Sequence, residues 1–384
     1  MNINLESSLK KLLFVTNIGE NDISGGFSAM NSAMYSVIDS AYSATYCGPI
    51  NPKPRLFENL LSKTQRMLGG RGDFFFFSER RLSLIAGIIK NKTRDNIYDA
   101  AVFHGFTPWV LYNPSIPYAA WNDCTFKQYI DIYHDRALYK DKDIMRIVEH
   151  ERNWLNAADR VFFRSRWAVE AAIRDYSLSS DKVGFVGNYG FIEIPDGDRY
   201  EDRKDFLIVT TSFHKKGGNE VFRAFARVYE TNCDVRLIIV GDRPNSHVLA
   251  HSGVVYLGWL DKSIPDHREQ LSKVYESAIC LVHPTRADTN PMVVIEAGYH
   301  GCPVISTKSF ALQELVLNEI SGILLDDVTD VNSLERAMRD VLRLDSAYFD
   351  MRRRAREHTL SHYTKAAFSS RVKMEIDRFI AGLI

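Results

Sequence analysis

Short β-branched and aromatic runs alternate along the chain with longer stretches whose apolar positions recur at helical spacing. In the first half the runs are LLFVTN (12–17), AAVFH (100–104), RVFFRS (160–165) and KVGFVG (182–187). The second half keeps the rhythm more regularly, with FLIVTTS (206–212), VRLIIVG (235–241), GVVYLG (253–258), AICLVHP (278–284), CPVISTK (302–308) and GILLDD (322–327). Runs that are apolar on consecutive positions predict strands covered on both faces, and the amphipathic stretches between them predict crossover helices. Two such series predict an α/β chain of two doubly wound parallel-sheet domains, residues 1–190 and 200–360. Between them FIEIPDGDRYEDRKD (191–205) is densely charged, holds Pro195 and Gly197 and has no apolar period, which predicts a solvated connection. Residues 330–384 read as helical throughout, and no repeat or low-complexity tract interrupts the pattern.

Composition narrows the classes. At 384 residues the chain exceeds one domain, and 45% hydrophobic residues fill a sizeable core in each of two or three. Lys plus Arg and Asp plus Glu both number 48, so no global charge holds the chain on nucleic acid or on an anionic bilayer. Nor do its basic residues interleave with aromatics in a way that favours nucleic acid. No apolar run reaches the roughly 18 residues of a membrane span. The start, MNINLESSLKKLLFVTN, carries acids and Asn where a signal peptide is cationic and then apolar, so the expected location is the cytoplasm. Five widely spaced cysteines without a CxxC pair fit a reducing compartment and argue against a disulfide framework or zinc knuckle. One segment, 47–95, leaves two readings open. Its Pro-rich turn (Gly48, Pro49, Pro52, Pro54) leads to RMLGGRGDFFFFSERRLSL, where Phe74 to Phe77 stand beside Arg66, Arg71, Arg80 and Arg81. Either this is a buried element with a basic rim, or residues 66–81 make a peripheral contact with the inner membrane face or a lipid acceptor.

Candidate chemistry concentrates in HPTRADTNPMVVIEAGYHGCPVIS (283–306). It runs from a strand end through a polar loop into a helix beginning near Pro291, a favourable first-turn residue. Such a loop at the carboxyl end of a parallel strand is where doubly wound folds bind anions. Asp288 sits in the loop and Glu296 about two turns into the helix, a spacing that lets both carboxylates face one cleft. A carboxylate accepts two hydroxyl hydrogen bonds, so either acid suits a ribose. In TTSFHKKGGNEVFRAFARV (210–228) a strand end is followed by His214, Lys215, Lys216, two glycines and an amphipathic helix. TNIGENDISGGFSAM (16–30) places Gly25-Gly26 between the first strand and a helix, and AAVFHGFTP ends a strand at His104, a residue able to bind hydroxyls or move a proton. Asp196-Gly197-Asp198 and Asp141-Lys142-Asp143 spell Asp-x-Asp but lie in charged stretches instead of at strand ends, so neither is expected to hold a metal. No phosphate-binding P-loop or zinc-protease motif is present.

In these residues the chain resembles the retaining nucleotide-sugar glycosyltransferases of family four, the glycosyl transferases group 1, whose GT-B fold has two facing Rossmann-like domains. The family signature, an acid, seven residues and Glu, matches Asp288 and Glu296, with Pro291 and Ala297 in the usual places and Gly301 and Pro303 continuing it. Lys216-Gly217 matches the family's Lys-Gly, RSRWAVEAAI (164–173) its Ser-x-Trp helix opening, and VGNYGF (186–191) its Asn-Gly-Val. Two positions depart: Asp288 and Thr289 replace the usual Glu and Gly, and the family's Arg falls on Thr211 or Ser212, leaving His214, Lys215 or Arg243 to supply the charge. The resemblance implies transfer of a sugar, with retention, from a nucleoside-diphosphate sugar to a glycan, lipid-linked or small-molecule acceptor. It implies Lys216 on the diphosphate near Thr211 and Ser212, Glu296 on the ribose, and Asp288 with the backbone of Thr289, Asn290, Pro291 and Met292 near the sugar. Gly25 and Gly26 would lie near phosphates or acceptor, and His104 beside the transferred sugar. No metal or other cofactor is expected, since lysine and helix N-terminus supply the positive field. It further implies a final helix, about 362–384, crossing back onto the first domain, and closure about 190–205. A non-catalytic nucleotide- or glycan-binding subunit and a sugar-nucleotide epimerase are the alternatives on the same fold.

Overall fold

The computed structural model describes residues 9–22, 25–54, 56–67, 69–94, 97–201 and 203–382. Residues 1–8 of the amino-terminal reading and 383–384 of the final helix lie outside them. The chain divides into two compact units, Met1–Gly187 with Ser369–Ile384, and Asn188–Phe368.

The first unit holds strands β1 (Lys11–Val15), β2 (Ser43–Cys47), β3 (Ala100–His104), β4 (Tyr118–Asn122), β5 (Arg160–Phe163) and β6 (Val183–Phe185). They form one sheet in the order β2-β1-β3-β4-β5-β6, and every pairing is parallel. The second unit holds β7 (Asp205–Thr210), β8 (Arg236–Gly241), β9 (Val254–Gly258), β10 (Ala278–His283), β11 (Val304–Thr307) and β12 (Gly322–Leu325), again all parallel, in the order β12-β11-β10-β7-β8-β9. Strand β7 shows why these runs are apolar at every position. Phe206 and Ile208 enter the core on one face of the sheet, and Leu207 and Val209 the core on the other. In each sheet the winding direction reverses once, between β1 and β3 and between β7 and β10. There the loops leaving neighbouring strand ends diverge to opposite faces and open a crevice, the place where doubly wound sheets bind ligands.

The helix Lys365–Ala381 carries the chain from the second unit into the first, where Glu375 receives Arg160 at 2.7 Å and Arg371 donates to the carbonyl of Val186 at 3.4 Å. Two strands escape a reading by apolar runs. β2, SATYC, is an edge strand paired only with β1, and polar residues alternate along its exposed face. β4, YAAWN, is central and buried but built on two alanines, which lack the β-branched signal. The charged stretch 191–205 is no free linker. Buried Arg352 takes Asp198 in a two-pronged pair at 2.5 and 2.7 Å, and Arg356 donates to the carbonyl of Pro195 at 2.5 Å.

The aromatic segment is an internal element. Phe74 and Phe77 join the core of the first unit, and Arg81, also buried, donates to the carbonyls of Pro52 and Phe76 and to Asn51 while lying 4.0 Å over the Phe76 ring. Arg66 reaches the Tyr139 hydroxyl and Arg71 pairs with Asp141. Phe74, Phe77 and Arg81 thus answer to the buried reading, whereas Phe75 and Phe76 are half-buried and Arg71 and Arg80 stay on the surface. Among the described residues no helix is long and apolar enough to cross a membrane.

Candidate functional site

At the switch point of the second sheet, the loops after β7 and β10 meet. Gly217 caps the helix Gly218–Tyr229 in left-handed backbone (φ 78°), and a Cβ there would stand 2.3 Å from the carbonyl oxygen of Pro284. Only glycine allows that approach, which presses the loop after β7 onto the end of β10. The result is a compact charge cluster. Lys216 Nζ lies 2.5 Å from Asp288 Oδ2 and donates to the carbonyl of Ala287 at 2.8 Å, while His283 Nε2, at the tip of β10, is 3.5 Å from the same carboxylate oxygen. Burial alone would raise the Asp288 carboxyl, but Lys216 and His283 outweigh it and hold it well below the ordinary carboxylate range. Burial pushes the His283 imidazole down against the pull of Asp288, so the ring is neutral near pH 7. The cluster is a carboxylate and an ammonium with a neutral ring behind them.

Around this pair, Thr289, Asn290 and Pro291 are buried in the loop and Met292 opens the helix Met292–Tyr299. Gly298 lets that helix pack closely on Thr359 of the helix Ser346–His362, since a Cβ would meet the Thr359 hydroxyl at 2.1 Å. Glu296 is fully buried and fully engaged. Lys262 reaches both of its oxygens at 2.6 Å, the amide of Phe191 donates to it at 3.0 Å and the Tyr275 hydroxyl at 3.3 Å. Asp288 and Glu296 thus occupy separate ionic settings, each with its own lysine. Thr211 is exposed and Ser212 half-buried, and the Phe213 amide donates to Asp242 at 2.8 Å, tying the loop to the end of β8. Arg243 is exposed and lies 5.5 Å over the Tyr256 ring. Beside this loop Arg286 bonds buried Glu220 at 3.1 Å, and its amide donates to the carbonyl of Lys215.

In the first unit the switch point gathers Gly25, Gly26 and His104. Gly25 is extended (φ −160°, ψ 171°) and begins the helix Gly26–Ala41, and a Cβ built on it meets nothing within 4 Å among the described residues. His104, fully buried at the tip of β3, is stacked between Phe27 and Trp121, each centroid 4.3 Å away, with Nδ1 2.7 Å from Asn31 Oδ1. Of the two Asp-x-Asp pairs, Asp198 is held by Arg352, Asp141 pairs with Arg71 and Asp143 with Arg146, while Asp196 is exposed. Among the described residues no group of three or more His, Cys, Asp or Glu side chains is arranged to hold a metal ion.

His283, Lys262, Arg286 and Asn31 went unassigned from the sequence. His283 ends an apolar run like any strand residue, and Lys262 lies in a polar turn far from Glu296 along the chain. Only the sheet order brings those two loops together.

Comparison with known proteins agrees with this architecture. Residues 192–358 match the family model "Glycosyl transferases group 1". A D-inositol 3-phosphate glycosyltransferase of Segniliparus rotundus is 31% identical over 118 residues, 29% of this chain and 26% of the relative, so the match spans about a quarter of that protein. Sucrose-phosphate synthase of Thermosynechococcus elongatus superposes with a TM-score of 0.71 at 16% identity, covering 97% of this chain and all (100%) of the other. Anabaena HepE in complex with UDP superposes with a TM-score of 0.65 at 14% identity, covering 96% and 100%. Residues 192–358 of the second unit are thus similar to a Glycosyl transferases group 1 domain, and the chain as a whole has the two-sheet GT-B fold.

Proposed function

We propose that this protein is a glycosyltransferase that moves a sugar from a nucleoside diphosphate to a glycan, lipid-linked or small-molecule acceptor with retention at the anomeric carbon. The observation that carries the reading is the Lys216–Asp288 pair at the switch point of a group 1 domain, beside the N-terminus of the helix Met292–Tyr299. In the reaction the anomeric carbon–oxygen bond breaks with its electron pair going to the diphosphate. The acceptor oxygen bonds to the same carbon and its proton leaves to the departing phosphate oxygen. Charge therefore grows on the diphosphate, and a preorganised ammonium with helix amides favours that growth more than it favours the bound donor.

Each group has a role in this reading. Lys216 exchanges Asp288 for the diphosphate, and the released carboxylate turns to the sugar hydroxyls alongside the backbone of 289–292. Glu296 takes the ribose hydroxyls, which requires Lys262 to yield at least one of its two bonds. His104 holds a sugar hydroxyl. Thr211, Ser212, Gly25, Gly26 and Arg243 line the phosphates or the acceptor. The positive field comes from Lys216 and the helix, so transfer proceeds without a metal ion. A uridine nucleotide is the first donor to try, because the HepE comparison is a UDP complex.

The test is incubation with UDP-sugars, reading UDP release and the anomeric configuration of the product. Release with retention supports the proposal. Tight nucleotide binding with no turnover against any acceptor supports a non-catalytic binding subunit instead.

A further inference from the structure

Behind His104 lies a closed chain of hydrogen bonds whose polarity can be read from its far end. The Tyr46 hydroxyl donates to the carbonyl of Ile18 at 2.9 Å, so towards Asn31 it can only accept, and it receives Asn31 Nδ2 at 2.9 Å. That orients the Asn31 amide. Its Oδ1 then accepts from the Thr16 hydroxyl at 2.8 Å and faces His104 Nδ1 at 2.7 Å. An amide oxygen has no proton to give, so Nδ1 must carry the hydrogen. Burial, helped by Arg164, disfavours the imidazolium, and a neutral ring has only one N–H. Nε2 is left as a bare lone pair. It is buried and has no partner among the described residues.

A second observation points to what completes it. Trp121 stacks on His104, and its Nε1–H is likewise buried without a partner among the described residues. One stacked pair of rings thus holds an unused acceptor and an unused donor, each of which loses energy while unsatisfied. A hydroxyl both donates and accepts, whereas a phosphate or carboxylate oxygen only accepts and would be repelled by the Nε2 lone pair.

We propose that Asn31 is a positioning residue that fixes His104 in its Nδ1–H form, so that Nε2 accepts a hydrogen bond from a sugar hydroxyl and refuses an anionic oxygen. The sugar in this statement rests on the proposed glycosyl transfer; the tautomer does not.

The test is NMR of the full chain labelled with 15N-histidine and 15N-tryptophan at pH 7, with His104→Gln and Trp121→Phe assigning the signals. The wild-type protein is expected to show His104 protonated at Nδ1 and bare at Nε2. Asn31→Leu should lose that Nδ1–H preference while the other histidine signals stay in place, and Asn31→Asp, which keeps an acceptor oxygen, should retain it. Should Asn31→Leu fail to fold, the wild-type and Asn31→Asp spectra decide. Added glucose should shift the Nε2 and Trp121 Nε1 signals, and inorganic phosphate should leave Nε2 unprotonated. A wild-type His104 that carries its hydrogen on Nε2 or is doubly protonated overturns the inference, as does an unchanged tautomer in Asn31→Leu. Protonation of Nε2 by phosphate, or indifference to glucose, overturns its ligand half. A correct tautomer in a protein that transfers no sugar sinks only the proposed function; an active transferase with Nε2–H sinks only this inference.

Discussion

Lys216 and Asp288 neutralise one another, and that has a counterintuitive consequence. Asp288→Asn removes the competitor for the ammonium, so UDP should bind more tightly, by roughly fivefold for a partly exposed pair worth about 1 kcal/mol, while sugar transfer falls. Calorimetric titration with UDP checks it, and weaker UDP binding would mean that Asp288 positions Lys216 instead of competing for it. In the first unit, Glu151 is fully buried and accepts from Thr107, the Phe126 amide and Tyr176 at 2.6 to 2.7 Å. Burial outweighs those donors and pushes its carboxyl up to about 7 from an ordinary 4.5. Because the folded value is the higher one, the folded state holds the extra proton between these limits. The contribution is complete below the unfolded value and lost as pH rises through 7. It amounts to on the order of 3 kcal/mol. Unfolding followed from pH 5 to 8 should show stability falling, and Glu151→Gln should flatten that slope. Asp288, Lys216 and Glu296 stand out in the sequence because their spacings are local. Their partners do not: His283 reads as the end of an apolar run, Lys262 meets Glu296 only once folding brings the loop after β9 to the helix after β10, and Glu151 is one acid among many on an amphipathic helix until its neighbours are known.

Most strands are legible in the sequence because a short run that is apolar at every position suits a strand buried on both faces and little else. β3 and β10 match their runs closely, whereas β2 and β4 do not announce themselves, one being a polar edge and the other alanine-rich. The Phe74–Phe77 run carries two readings because composition cannot tell an arginine turned inward onto carbonyls, as Arg81 is, from one facing lipid headgroups. Gly217 is where local backbone sets site geometry. Gly217→Ala adds a side chain in left-handed backbone against the Pro284 carbonyl, and should cost about 2 kcal/mol while also weakening UDP binding, because Lys216 moves with the loop. Gly197→Ala, with open space around it and no left-handed backbone, is the control. Melting temperatures and UDP titration of both variants check this, and a Gly217→Ala protein with unchanged UDP affinity would separate the loop from the site.

The molecule is two units with separate cores, and the carboxy-terminal helix belongs with the first of them. Glu375→Ala would strip Arg160 of its buried carboxylate, and should destabilise the first unit by about 3 kcal/mol, leaving unchanged the UDP binding proposed for Lys216 in the second unit. The proposed function turns on that second unit, with Lys216 at its switch point holding a nucleoside diphosphate. The most direct measurement is a thermal-shift panel of UDP, GDP, ADP and their sugars, with and without magnesium, on the wild type and on Lys216→Ala. A site ligand at 100 times its dissociation constant adds roughly 2.7 kcal/mol. The account predicts a stabilising shift with one nucleotide, equal with and without magnesium and lost in Lys216→Ala while that variant's own melting temperature holds. No shift with any nucleotide, or a shift that survives Lys216→Ala, would contradict it.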